Sequence, residues 1–168
     1  MPDFPLPKGA LLVAASTISL AIKGEGAGCV IRPGTKGQRQ LAAVFPVASR
    51  QPTPGQVYLL LENIRGTRDA TVLNVSVQLP GGDGEPQLPQ WLVGSVGLFG
   101  LRLASIRHAE SAGLGLTFLF DITPALFGQS AGQQEPFSEI HISIRPNHPL
   151  SDSSDLVVEC VRLYLIPA

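Results

Sequence analysis

The side chains able to do chemistry are few and scattered along the chain. Histidine occurs only as His108, His141 and His148, and cysteine only as Cys29 and Cys160. A zinc or copper site needs several ligands gathered at short, regular spacing. No His-x-His or His-x3-His pair occurs, and neither cysteine has a histidine within a few residues. His108 in a turn, His141 on the solvent face of a strand and His148 in a loop are therefore expected at the surface, and no metal ligand is assigned. Cys29 and Cys160 read most simply as two buried thiols. Two cysteines so far apart in sequence leave their pairing open.

Nucleophiles and paired carboxylates lack their usual settings. Gly94-Ser95 is followed by Val96-Gly97 inside an apolar run, which is no nucleophile elbow. Gly113-Leu114-Gly115 is not followed by a helix, so it cannot cradle a dinucleotide. Asp83 with Glu85, and Asp152 with Asp155, read as solvated turn residues. Asp121 ends an apolar strand and is expected to accept a hydrogen bond from nearby backbone. Arg102 and Arg162, set in apolar runs, are expected to snorkel or to pair with Glu159 or Glu62. No catalytic residue is assigned, and the chain reads as no enzyme.

The elements that would position these groups are β-strands. The chain has 168 residues, enough to bury a core without metals or disulfides, and only 15% of them are charged, against 18 glycines and 15 prolines. A net charge of −1 supplies no basic field for nucleic acid or an anionic membrane. No apolar run approaches the ~20 residues of a membrane span, and no basic segment precedes Leu11 to Ala15 as in a signal peptide. A cytoplasmic location is expected. Residues 1–9, with Pro2, Pro5 and Pro7, read as an extended arm or linker remnant, and residues 10–168 as a single domain.

Alternation marks the strands. Ile18, Leu20 and Ile22, then Leu73, Val75, Val77 and Leu79, then Leu116, Phe118, Phe120 and Ile122, then Ile140, Ile142 and Ile144 each place one face inward. Val57 to Ile64 is apolar on both faces, as in a central strand. With Thr71 to Leu79 it reads as an antiparallel pair joined by the turn Arg65–Asp69. Leu41 to Phe45, Trp91 to Leu98, Leu101 to Ile106 and Leu156 to Ile166 read as further strands, and Pro33 to Gln40 as a polar loop. Thr123-Pro124-Ala125-Leu126-Phe127-Gly128 has a cap, a proline suited to the first helical position and a terminating glycine, which predicts one short helical turn. About ten strands with turns every 8–12 residues predict an all-β fold, an antiparallel β-sandwich or jelly-roll-like barrel.

Several of these segments, in this order, resemble one known family. Leu61-Glu62-Asn63-Ile64, Val93-Gly94-Ser95, Gly115-Leu116-Thr117-Phe118 with Asp121-Ile122-Thr123, Ile140-His141-Ile142-Ser143-Ile144-Arg145-Pro146 and the last strand ending Val161-Arg162-Leu163-Tyr164-Leu165-Ile166 look like the C-terminal domain of tyrosinases and plant or bacterial polyphenol oxidases. The likeness runs from about Ala15 onward. It implies a β-sandwich that covers the entrance of a binuclear copper site, lends it an apolar or aromatic plug, and is removed or displaced on activation. The resemblance thus implies a tyrosinase-like copper oxidase as partner, in cis or in trans, possessing the copper, while this chain binds no cofactor. The family's histidine-rich copper domain is absent here. So are the Cys-x-x-Cys of some such domains and any methionine-rich copper carrier, since Met1 is the only methionine.

A lid of this kind needs one apolar side chain held on a bend. In Leu92–Gly100 the sequence Gly97-Leu98-Phe99-Gly100 frames two large apolar residues between glycines, which tolerate unusual backbone angles. Phe99 is the first candidate plug, Leu98 the second and Trp91 the third. Burying one such side chain in a partner contributes roughly 1.5–3 kcal/mol. The competing expectation is that these side chains only complete the core. From another class comes a stand-alone β-sandwich that binds a carbohydrate or other ligand through loops 80–90 and 145–154, for which Trp91, Tyr58 and Tyr164 are the available aromatics.

Overall fold

Period-two burial builds the frame. The computed structural model of the chain describes residues 5–45, 55–69, 71–81, 88–107, 113–130 and 138–167. In chain order its strands are β1 (Leu11–Ala15), β2 (Leu20–Ala21), β3 (Ala27–Ile31), β4 (Gln56–Arg65), β5 (Val72–Gln78), β6 (Trp91–Gly97), β7 (Leu116–Asp121), β8 (Ile140–Pro146) and β9 (Val157–Ile166). Three helices intervene: α1 (Thr35–Val44), α2 (Leu101–Ser105) and α3 (Thr123–Ser130).

The strands form two antiparallel sheets. One has five strands, in the order β1-β9-β4-β7 with β2 also on β9; the other has four, in the order β3-β8-β5-β6. Leu59, Leu61, Val161 and Leu163 of the first sheet share one core with Leu73, Val75, Val77, Ile140, Ile142 and Ile144 of the second. Each fully buried aliphatic side chain contributes roughly 1.5–3 kcal/mol, so two facing rows suffice to hold the sheets together. The fold is an all-β sandwich, as the alternation predicts. Leu116 and Phe118 pack against that core and Phe120 and Ile122 lie within it, so the inward face expected of this run is observed.

Four local expectations differ. β4 and β5 are not partners: β4 lies between β7 and β9, and β5 between β6 and β8. The connection after β4 carries the chain from one sheet to the other, where the polar turn Arg65–Asp69 had suggested a hairpin; β4 is nonetheless a central strand, as its two-sided apolar character predicts. Residues 35–44 form α1 rather than a loop and a strand. Its buried Gly37, Leu41 and Val44 recur at helical spacing, and a Cβ on Gly37 would lie 2.8 Å from the Val13 carbonyl, so the helix must approach β1 there without a side chain. Residues 101–105 form α2 rather than a strand. Finally, α3 runs past Gly128 to Ser130, because Gly128 serves as the seat of the Trp91 ring, whose nearest atom would be 2.6 Å from a Cβ there.

Nine strands are described against about ten expected. Both β4 and β9 bury Leu60 on the outer face too: Leu60 lies opposite Arg162 of β9 and Leu119 of β7 and is 2% exposed. The pairing of Arg162 with Glu62 is present at 2.9 Å.

Candidate functional site

The turn between β6 and α2 separates two adjacent residues completely. Leu101 N–H donates to Leu98 O at 3.2 Å, making Phe99 and Gly100 the central pair of a tight turn. Gly100 has φ 76 and ψ 10, the conformation a type II turn demands at its third position. The consequence is opposite aim. Leu98 is fully buried in the core, whereas Phe99 is 73% exposed. Leu98 is thus corrected from plug to anchor: its position in strand period continues the inward row of Leu73 and Val75.

Phe99 does not hang free. A Cβ on Gly97 would lie 2.5 Å from the Phe99 ring, so the ring rests on the bare backbone of Gly97, on the outer face of the four-stranded sheet. Gly97 has no positive φ. It is required for space rather than for backbone freedom, which Gly100 alone supplies here.

The tip is strapped from behind. Leu98 N–H donates to Thr71 O at 2.8 Å. Asp69 Oδ1 accepts from the Arg102 N–H at 2.9 Å, satisfying one of the open donors at the start of α2. Ser105 Oγ donates to Leu101 O at 2.7 Å and accepts from Gly66 N–H at 3.0 Å. Leu101 is buried, leaving Leu103 at 66% and Ile106 at 41% exposure on the outward side of the same segment. Arg102 pairs with Asp69 at 4.0 Å, a partner other than the two carboxylates expected.

Trp91 stands apart from this tip. It is paired with Val77 at the start of β6, while Gly97 is paired with Val72 at its end, a separation of about 20 Å along the strand. Its ring, 44% exposed, leans on Gly128 of α3. Tyr58 and Tyr164 face each other across β4 and β9, in the other sheet, so the aromatics of the carbohydrate reading are not brought together.

Of the titratable groups singled out in the sequence, the histidines and aspartates among the described residues lie on outward strand faces and in turns. His141 Nε2 lies 2.7 Å from Glu139, which also meets Arg32 at 3.1 Å; the hydrogen bond with His141 outweighs desolvation and holds the Glu139 carboxyl below its ordinary range. His148 is exposed, and His108, Asp83 and Glu85 lie outside the described residues. Asp121 accepts the Thr123 N–H at 2.9 Å, the backbone role expected of it. Asp155 accepts from Thr67 N–H at 3.1 Å, and that bond lowers its carboxyl pKa. Burial of Arg162 opposes its charge, but a hydrogen bond with Tyr164 and the Glu62 carboxylate more than offset this and raise its pKa. Glu62 Oε2 has no aligned hydrogen bond, so the 2.9 Å contact with Arg162 acts through charge.

Cys29 and Cys160 are free thiols. Burial, followed by repulsion from the Cys160 thiolate, pushes Cys29 up to about 11. Among the described residues no cluster of three or more His, Cys, Asp or Glu side chains could hold a metal, and no helix is long and apolar enough to cross a membrane.

The molecule is therefore a β-sandwich that displays Phe99 on a glycine-framed turn. Residues 10–165 match the family model described as "Domain of unknown function (DUF7868)", and the chain belongs to that family. No curated protein matches it.

Proposed function

We propose that the protein is a non-catalytic shielding domain that docks on a tyrosinase-like copper oxidase and places Phe99 over the entrance of its binuclear copper site. The observation that carries this reading is the exposure of Phe99, 73%, on a turn whose preceding residue is fully buried. An aromatic side chain left in water at that cost needs a reason. A pre-positioned ring loses little rotamer freedom on docking, because its seat on Gly97 and the straps behind α2 already fix it. Leu103 and Ile106, exposed on the α2 segment that follows the turn, are further apolar side chains available to a partner. Copper belongs to the partner; this chain contributes shape and exclusion of bulky phenols.

The test mixes the purified protein with a tyrosinase-like copper oxidase lacking its own C-terminal domain. Complex formation and slower diphenol turnover are expected, and both should weaken with Phe99→Ala. Absence of a complex together with unchanged turnover would overturn the reading.

A further inference from the structure

A second surface, on the outer face of the four-stranded sheet, has the chemistry of a binding site. A groove of about 380 Å³ runs across β3, β8 and β5 and is lined by Ser76, Gln78, Gln90, His141 and Ser143. That volume falls within the roughly 300–1,000 Å³ of small-molecule sites. Gly28 keeps the β3 side low: a Cβ there would already sit 3.0 Å from the Ile142 carbonyl.

Two of the polar groups are fixed before any ligand arrives. Gln78 Nε2 donates to the Leu88 carbonyl, which turns its amide oxygen free and draws the segment carrying Gln90 to the groove's rim. His141 is held through Nε2 by Glu139, itself held by Arg32, so Nδ1 remains for a ligand. Ser76 and Ser143 lie opposite each other in the β5–β8 register and present two hydroxyls side by side.

The donor set selects a class of ligand. None of the described lining residues carries a fixed charge, so an ionic ligand would lose hydration without a counter-charge. A wholly apolar ligand would strand the hydroxyls and amides unpaired. An extended peptide could add only along the outer edge of β3, because the backbone of β8 and β5 is already paired on both sides, and it would leave Ser76, Gln78 and Ser143 in the middle of the sheet unused. Vicinal hydroxyls, each both donor and acceptor, match serine, glutamine and imidazole groups. The exposed Val30 side chain at the rim offers an apolar surface to the C–H face of a ring. We propose that this groove binds a neutral saccharide, of mono- or disaccharide size. The proposal does not rest on the shielding role, since Phe99 lies at the other end of the sheet, beyond Gly97.

Titration of the 15N-labelled protein with cellobiose and with maltose, followed by amide chemical shifts, tests it. At least one of the two sugars should give saturable shifts centred on Ser76, Gln78, His141 and Ser143, and inorganic phosphate none. Ser143→Tyr fills the groove from a half-buried position on the outward face of β8 and should abolish the response, with the rest of the spectrum unchanged. The milder Ser76→Ala should weaken binding about fivefold, as for one lost hydrogen bond. Phe99→Ala should bind as the parent does. No saturable shift with either sugar, equal shifts with phosphate, or a response that survives Ser143→Tyr would each overturn the proposal.

Discussion

At both ends of β6 an aromatic ring lies on a glycine, yet the two arrangements differ in kind. At the start, Trp91 leans on Gly128, which comes from α3 and is distant in sequence; at the end, Phe99 leans on Gly97, two residues before it. The Trp91 ring therefore joins separate parts of the sandwich, and losing it opens a gap between them. The Phe99 ring, 73% exposed, leans on a residue of its own turn. Tertiary packing accounts for the position of one aromatic residue and leaves the other facing solvent.

Stability measurements by chemical denaturation can break this contrast. Leu98→Ala should show the largest loss, about 2–5 kcal/mol, because a fully buried side chain leaves a cavity. Trp91→Ala should fall below the 3–5 kcal/mol of a wholly buried ring, at roughly 1–3 kcal/mol, since nearly half of Trp91 is in water. Phe99→Ala should change stability by no more than about 0.5 kcal/mol, the range of surface substitutions. A loss of 3–5 kcal/mol at Phe99 would return it to the core. Gly97→Ala sharpens the point further: the new methyl must push the exposed ring aside. Folding should survive, and under the proposed shielding role any slowing of oxidase turnover should weaken as expected for Phe99→Ala.

Smaller effects probe the other surfaces. Glu139 and Asp155 both have lowered pKa values through hydrogen bonds formed only in the folded state. A depressed carboxyl stabilises the fold above its unfolded pKa, and that contribution disappears as pH falls through the folded value. Stability should thus decline on the acid side of the ordinary carboxylate range of about 4, and the decline should be shallower in Glu139→Gln. Cys29, pushed up to about 11, is scarcely ionised at pH 8. Its alkylation by iodoacetamide, followed by mass spectrometry, should be far slower in the native protein than after unfolding.

Much of the architecture was legible because period-two alternation reports burial directly. Leu73, Val75 and Val77, and Ile140, Ile142 and Ile144, face inward as their spacing requires. The helices were less legible. In α1 only Gly37, Leu41 and Val44 are buried, and its first turn shows no apolar pattern, so Leu41 to Phe45 alone resembled a strand. α2 is too short to display a period and depends on Gly100 before it and Asp69 from another turn. The pairing of β4 with β5 failed for a related reason, since alternation says which face is buried but not which sheet a strand joins. The groove across β3, β8 and β5 had no sequence signal, because Ser76, Gln78, His141 and Ser143 look like ordinary solvent-facing alternates until three strands are set side by side.

By itself the sequence determined the sandwich, the inward rows, the outward placing of His141, the backbone role of Asp121, and a glycine-framed apolar tip. These follow from side-chain polarity at fixed spacing, which is a local property. Only the tertiary structure decided that Leu98 points in and Phe99 out. Neighbouring residues of equal apolarity are distinguished by the left-handed backbone at Gly100 and by which of them finds the core beneath it.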